Sequence, residues 1–362
     1  MGITSIILDP IKNVLLLRRP GQSPLSLPNL DGLPPTVKNY FINGGFDFAQ
    51  RSTATIASPI NTVAYNTVDR WRNAYFSGTW TTAPLVKREI ASPNSKTKHS
   101  FRWQSNASVG TSVTLDSQQR IEAHLARELL AAGTFSISVW VASQSCTTLR
   151  CELLYASAED NFATSPSYHT VDKTIVNNGA WQLVKFEGLP TNANMVNGLQ
   201  VRLDFTNYAV LNANADHYLA QAMCNVGPKA QDFVRHAPSL AGELAACQRY
   251  YSKSYSPDVV PGTSTTAGLM VVTTRAITAA ATNEASVRHP VVMRNSAVLT
   301  LYPQTGSPTG QLNNSGGATT PATAAAGSNG DAGFTVSITG GSGFTVGQAI
   351  TVFGHYTADI DL

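Results

Sequence analysis

A chain of 362 residues, 43% of them hydrophobic, has the apolar mass for a buried core and the length for two modest domains. Only 13% are charged and the net charge is +3, too weak and too scattered to point to nucleic acid or an anionic membrane. Gly, Pro, Ser, Thr and Asn fill the gap, which suits short strands joined by turns and a surface partly covered by neighbouring subunits. No run of about 18 apolar residues is available to span a membrane. The stretch Ile3–Leu8, broken by Asp9 and Lys12, does not read as a secretory leader.

Residues 1–38 are rich in proline (Pro10, Pro20, Pro24, Pro28, Pro34 and Pro35). Proline fixes φ and removes a donor, so this segment is expected to be an extended or irregular arm. Its apolar patches, Ile3–Leu8 and Val14–Leu17, are too small for a core of their own and are expected to dock, within an oligomer or on a partner protein.

From 39 to 237 the pattern is β. Phe135, Ile137, Val139 and Val141 alternate with Ser136, Ser138 and Trp140, and Leu199, Val201, Leu203 and Phe205 with Gln200, Arg202 and Asp204. Period-two alternation marks half-buried strands. Ser100–Gln104, Leu149–Tyr155, Trp181–Phe186 and Tyr218–Cys224 are shorter candidates, and together they predict a jelly-roll-like β-sandwich. One helix is predicted within it, capped by Asp116, carrying Ile121, Leu125 and Leu129, and stopped at Gly133. A connecting segment, 238–255, holds a second helix with Leu240, Leu244, Cys247 and Tyr251 on one face.

Residues 256–362 read as a second β-sandwich module. Its predicted strands are Gly268–Thr274, Ala285–Met293, Ala297–Tyr302, Phe334–Thr339 and Ala349–His355. Residues 313–331, low in complexity, are expected to be a long surface loop. The fold class is therefore all-β: two sandwich modules joined by a short helix, with an extended N-terminal arm.

The sequence offers little catalytic chemistry. No nucleophile elbow, zinc-helix pair or phosphate loop is present, and the seven histidines are scattered. The four cysteines (Cys146, Cys151, Cys224 and Cys247) form no CxxC and are expected to be reduced core residues. Glu152, Glu159, Asp160, Asp204 and Asp216 lie in or beside strands, and a glycosidase would need two carboxyls about 5–10 Å apart. The expectation is that the chain is not an enzyme.

Aromatic residues give a sharper lead. A sugar's C–H face stacks on a ring while polar neighbours take its hydroxyls. Trp80 lies in a Ser/Gly/Thr loop and Phe162 follows Asp160-Asn161, so both are candidates for exposed rings; Trp103 and Tyr155 complete the tentative carbohydrate-binding set. Trp71, Trp140 and Trp181 are expected in the core, since aromatics dominate cores as well.

Three ordered stretches resemble bacteriophage tail-fibre and related virion proteins that carry a carbohydrate-binding-module-like jelly roll. They are Asn43-Gly-Gly-Phe-Asp-Phe-Ala-Gln-Arg51 with Thr67-Val-Asp-Arg-Trp71, then Glu243-Leu-Ala-Ala-Cys-Gln-Arg-Tyr-Tyr251, then Val287-Arg-His-Pro-Val-Val-Met-Arg294 with Ala297-Val-Leu-Thr300. His355-Tyr-Thr-Ala-Asp359 resembles the closing strand of such proteins. The resemblance covers roughly residues 40–362 and leaves out the arm.

It implies a virion structural protein of tail-fibre or spike type, assembled in the bacterial host cytoplasm. The arm would mount on another virion protein, the chain would self-associate as a homotrimer, and host cell-surface polysaccharide would be the receptor. Two alternatives stay open: a purely architectural collar, neck or head-decoration fibre, and a polysaccharide depolymerase spike. Some sandwiches of this kind hold a structural Ca²⁺ near the opening segment. Asn43 and Asp47 would supply its oxygens here, although Asn225 stands where an acid is expected. No other cofactor is implied. Within the motifs, Asp69 and Arg70 are expected to pair with each other, and Gln248 and Arg249 to be free for a neighbouring module.

Overall fold

The structure, a computed structural model, describes residues 5–9, 14–18, 25–26, 37–59, 61–76, 83–105, 114–208, 214–314, 322–340 and 343–362. The chain divides into two compact units, Met1–Lys38 and Asn39–Leu362. In the first, the apolar runs are extended strand and pair with each other. β1 (Ser5–Asp9) lies antiparallel to β2 (Val14–Arg18), which pairs in turn with β3 (Leu25–Ser26).

The second unit is all-β. Its first sandwich uses β4 (Ile56–Ala57), β5 (Arg72–Phe76), β6 (Leu85–Glu89), β7 (Ser100–Gln104), β8 (Thr114–Ile121), β9 (Thr134–Ser143), β10 (Cys146–Tyr155), β11 (Ser167–Thr174), β12 (Gln182–Pro190), β13 (Leu199–Tyr208) and β14 (Asp216–Val226). One sheet runs β11-β10-β13-β8-β5 and the other β12-β9-β14-β7-β6-β4. Between them Trp71, Phe101, Trp103, Phe135, Ile137, Leu203 and Phe205 form a continuous core. The alternating residues of β9 and β13 face inward as the sequence predicted.

The predicted helix is shorter and starts later. Asp116 does not cap it: residues 114–121 are strand β8, and α1 spans Ala123–Ala131 with Glu122 at its N-cap. β8 escaped detection because two of its inward residues are polar. Ser117 accepts the Trp103 indole N–H at 2.8 Å, and the Gln119 amide exchanges bonds with both backbone groups of Ile42. Gly133 ends the helix at φ +75°, a left-handed conformation that suits glycine. All four cysteines are free and buried.

α2 (Leu240–Gln248) is capped by Ser239, whose hydroxyl accepts from Gly242 N. The expected apolar stripe is corrected: Leu240 is 53% exposed, and Glu243 is buried instead. That carboxylate accepts the N–H groups of Asn43 and Ala237, at 2.5 and 2.8 Å, which offsets the cost of burying its charge.

The C-terminal module comprises β15 (Tyr251–Lys253), β16 (Met270–Arg275), β17 (Ala285–Arg288), β18 (Val298–Tyr302), β19 (Gln311–Asn314), β20 (Ala322–Asn329), β21 (Gly333–Ile338) and β22 (Ala349–Asp359). β22 is its spine. Its first half pairs with β16 and β19, its second half with β15 and β18. The change falls beside Gly354, where a Cβ would stand 2.4 Å from the carbonyl oxygen of Tyr302. The predicted 313–331 loop is corrected, since β19 and β20 occupy most of it; residues 315–321 lie outside the described residues. Leu301, Leu312, Phe334, Val336, Ile350 and Tyr356 belong to this module's own core.

The motif residues meet where the two modules join. Asn43 donates to the carbonyls of Phe48 and Asp69, and its own carbonyl accepts the Trp71 indole N–H. Asp69 and Arg70 are both 1% exposed but do not pair with each other. Asp69 accepts the Gln50 backbone and amide N–H groups, whereas Arg70 reaches Asp361 at 3.2 Å. Arg51 pairs with Asp359 and Asp361. Arg249, expected to be free for a neighbouring module, bonds Glu122 of the first sandwich at the start of α1, and so does Arg294.

Candidate carbohydrate-binding face

The outward face of the six-stranded sheet gathers aromatic and polar side chains in register. Trp140 on β9 stands between Leu183 on β12 and Ala220 on β14. One pleat along the strand, Ala142 lies beside Tyr218, which faces Arg102 on β7. The Trp181 ring approaches the Tyr218 ring at 5.8 Å. Trp140 and Trp181, expected in the core, are only half-buried. The reason is the alternation itself: when Ile137, Val139 and Val141 point inward, Trp140 must point out.

Two chain segments wall this face. The segment after β14 folds back over it, tied by Ser136 to Gly227 O, by Asn225 to Lys229 O and by Ala230 N to Glu187. Residues 91–99 form the opposite wall. Gln221, at φ +50° in the β14 bulge, exchanges amide hydrogen bonds with Asn94 and donates to Thr97. Lys96 reaches across to Asp232 at 3.2 Å. The result is a cleft of about 150 Å³ in which Trp140, Leu183 and Phe233 supply apolar surface and Asn94, Gln231 and Asp232 supply polar groups. Beside it, Arg102 bonds Asp216 at 2.8 Å and Glu89 at 3.3 Å, and the Tyr218 hydroxyl donates to Asp216. Burial and that carboxylate raise the Tyr218 hydroxyl to about 12, so it stays a donor at neutral pH.

The sequence-predicted ring set is not brought together. Phe162 is buried, packed with Ile42, Cys247, Tyr250 and Leu362 at the junction of the modules, because the chain turns inward after the left-handed Asp160. Trp103 is 0% exposed and belongs to the central core. Tyr155 is half-buried on the other sheet, with Tyr168 at 6.2 Å. Trp80 lies outside the described residues.

The calcium expectation does not fit the residues present. The Asn43 side-chain oxygen accepts Phe48 N, and both Asp47 oxygens accept from Arg235. Among the described residues no group of three or more His, Cys, Asp or Glu could hold a metal ion. The carboxylates considered for hydrolysis each face an arginine: Glu152 and Asp204 face Arg202, Glu159 faces Arg127, Asp160 faces Arg294 and Asp216 faces Arg102.

No known protein family matches this chain, and no curated protein does. Solved structures with a similar arrangement include the enzymatically active domain of bacteriophage CBA120 tailspike protein 4, at 10% identity and a TM-score of 0.32, over 52% of this chain and 21% of that one. TmCBM61 in complex with β-1,4-galactotriose matches at 12% identity and 0.32, over 52% of this chain and 99% of that one. A xylan-binding domain of carbohydrate-binding module family 22 matches at 15% identity and 0.31, over 46% and 92%.

Proposed function

We propose that this chain is a structural protein of a bacteriophage particle, of tail-fibre or spike type, whose first sandwich binds a host surface glycan. The observation that carries the binding reading is the cleft around Trp140. An indole and a phenyl ring offer faces for sugar C–H groups, and amides and a carboxylate within reach offer partners for hydroxyls. The virion reading is supported by the resemblance of the ordered motifs, of which Arg70, Arg249 and Arg294 meet where the two modules join. Residues 1–38 would mount the chain on another virion protein. Repetition of the chain on a particle would multiply weak sugar contacts into useful avidity. Catalysis forms no part of the proposal.

The test is binding of purified protein to a glycan array and to host surface polysaccharide, with Trp140→Ala alongside. Binding that this substitution lowers at least tenfold, with the fold intact, supports the reading. Absence of any binding would sink it and leave an architectural collar, neck or decoration protein. Release of reducing ends from the polysaccharide would instead reveal a depolymerase.

A further inference from the structure

The cleft around Trp140 does not end at its wall. Lys96 lines it and also lines a neighbouring groove of about 370 Å³, with Phe48, Lys98, Arg235 and Leu240. Cations outnumber carboxylates along this surface. Lys96 pairs with Asp232, Lys229 with Glu187 and Arg235 with Asp47, which engages each of those acids. Lys98 and Lys185 are exposed, and neither has an ion-pair partner among the described residues.

The cations flank the indole. β12 is the outer strand of the sheet, and Lys185 on it stands opposite Ser138, one pleat along β9 from Trp140. On the other side, Gln221 of β14 holds Asn94 and Thr97, which fixes the wall that carries Lys96. Lys96 is only loosely committed. Its side chain is 47% exposed and that of Asp232 is 92% exposed, and ion pairs so open to water contribute little. Arg235 differs: it grips the buried Asp47 through two nitrogens. A sugar stacked on an indole turns its rim toward the flanks. A uronic acid's carboxylate projects from that rim, so stacking and ion pairing operate together.

We propose that the glycan taken by the Trp140 cleft is acidic, a polysaccharide whose repeat carries a carboxylate. Lys96 and Lys185 pair with that carboxylate from either side of the ring, and Lys98 extends the cationic track into the neighbouring groove. An ammonium is a compact point charge that needs no planar match, and complementary charge gives selectivity between ligands of similar shape. The proposal rests on the glycan reading of this cleft and names its substrate class.

The experiment uses the full-length protein on an array of neutral and acidic glycans. The strongest-bound glycan is then titrated by calorimetry, before and after reduction of its carboxylates to alcohols, with near-ultraviolet circular dichroism as a check on folding. Acidic glycans should bind best, and carboxyl reduction should weaken binding about tenfold. Binding should also weaken between about 0.1 M and about 1 M salt, where the screening length falls from about 10 Å to about 3 Å. Lys96→Ala and Lys185→Ala should each lower affinity about threefold to fivefold, the scale of one solvent-exposed ion pair. Asp232→Asn should raise it by a similar factor, because it releases Lys96 while the amide keeps an acceptor for a hydroxyl. A loss of folding cannot imitate that gain. Preference for neutral glycans, affinity unmoved by carboxyl reduction, or weaker binding by Asp232→Asn would overturn the acidic assignment and leave the cleft a site for neutral sugar. Absence of binding to every glycan would instead remove the reading on which it rests.

Discussion

Arg70 holds its guanidinium carbon 3.5 Å from the centre of the Tyr250 ring. That contact joins the opening motif of the first sandwich to the segment that follows it. Arg70 also donates to Asp361 at 3.2 Å and to the carbonyl of Arg120 at 2.8 Å, while almost wholly buried. Removing it leaves Asp361 buried with Arg51 as its remaining cation. Loss of one partner from a buried ion pair costs about 3–5 kcal/mol. Arg70→Ala should therefore lower the urea midpoint by a corresponding amount. Arg70→Lys should recover only part of the loss, since an ammonium cannot replace the planar guanidinium over the ring. A midpoint unchanged by Arg70→Ala would show that the junction does not stabilise the fold.

Trp103 on β7 and Trp140 on β9, strands on either side of β14 in one sheet, have opposite fates. Trp103 is fully buried and hydrogen-bonded to Ser117. Trp103→Ala should cost about 3–5 kcal/mol, as large cavities in cores do. Trp140→Ala, on the outward face, should change stability far less. Thermal unfolding of the two variants side by side reads the difference, and equal losses would contradict the orientation of β9.

His217 predicts an acid limb. It is buried, with Ser143 and Ser145 at 3.1 and 3.2 Å from its two ring nitrogens, and burial holds its pKa down at about 3. The unfolded chain takes up this proton near pH 6.5, the folded protein only near 3. Stability from this group is thus complete above about pH 6.5 and is lost as the pH falls toward 3, by up to about 1.4 kcal/mol per pH unit. His217→Gln should flatten that part of the stability profile. An unaltered slope would mean that other groups set the acid sensitivity.

Asp116 and Asp204 face each other across β8 and β13, both nearly unexposed, with Arg202 at 3.1 and 3.5 Å. Burial raises the pKa of both, and for Asp204 the facing Asp116 adds to it. A raised folded pKa means that stability declines as pH rises through the window above the ordinary carboxylate value. Asp204→Asn removes one of the two charges and supplies a donor to Asp116. It should stabilise the protein at pH 7 by about 1 kcal/mol, the worth of one hydrogen bond, with the gain fading toward pH 4. Chemical denaturation at the two pH values measures it; destabilisation at pH 7 would show that the Asp204 charge is needed by Arg202.

Alternation in the sequence determined the all-β class and most strands of both modules, because a pleated strand repeats every two residues regardless of its surroundings. It also held the correct orientation of Trp140, although composition argued for the core. Local chemistry placed Gly133 at a helix boundary, since a left-handed φ is a local demand. Tertiary structure decided the rest. Strand β8 is hidden by Ser117 and Gln119, whose inward polar groups are tolerable only because Trp103 and Ile42 come to meet them. Glu243 is buried because Asn43, 200 residues earlier in the chain, offers its N–H. Asp69 and Arg70, adjacent in sequence, turn to different partners because Asp361 and Tyr250 are delivered by the residues after the last strand and by the connecting segment. The candidate cleft also depends on residues 91–99 and the segment after β14 closing over one sheet face. Those are contacts at long sequence separation, which neither periodicity nor spacing encodes.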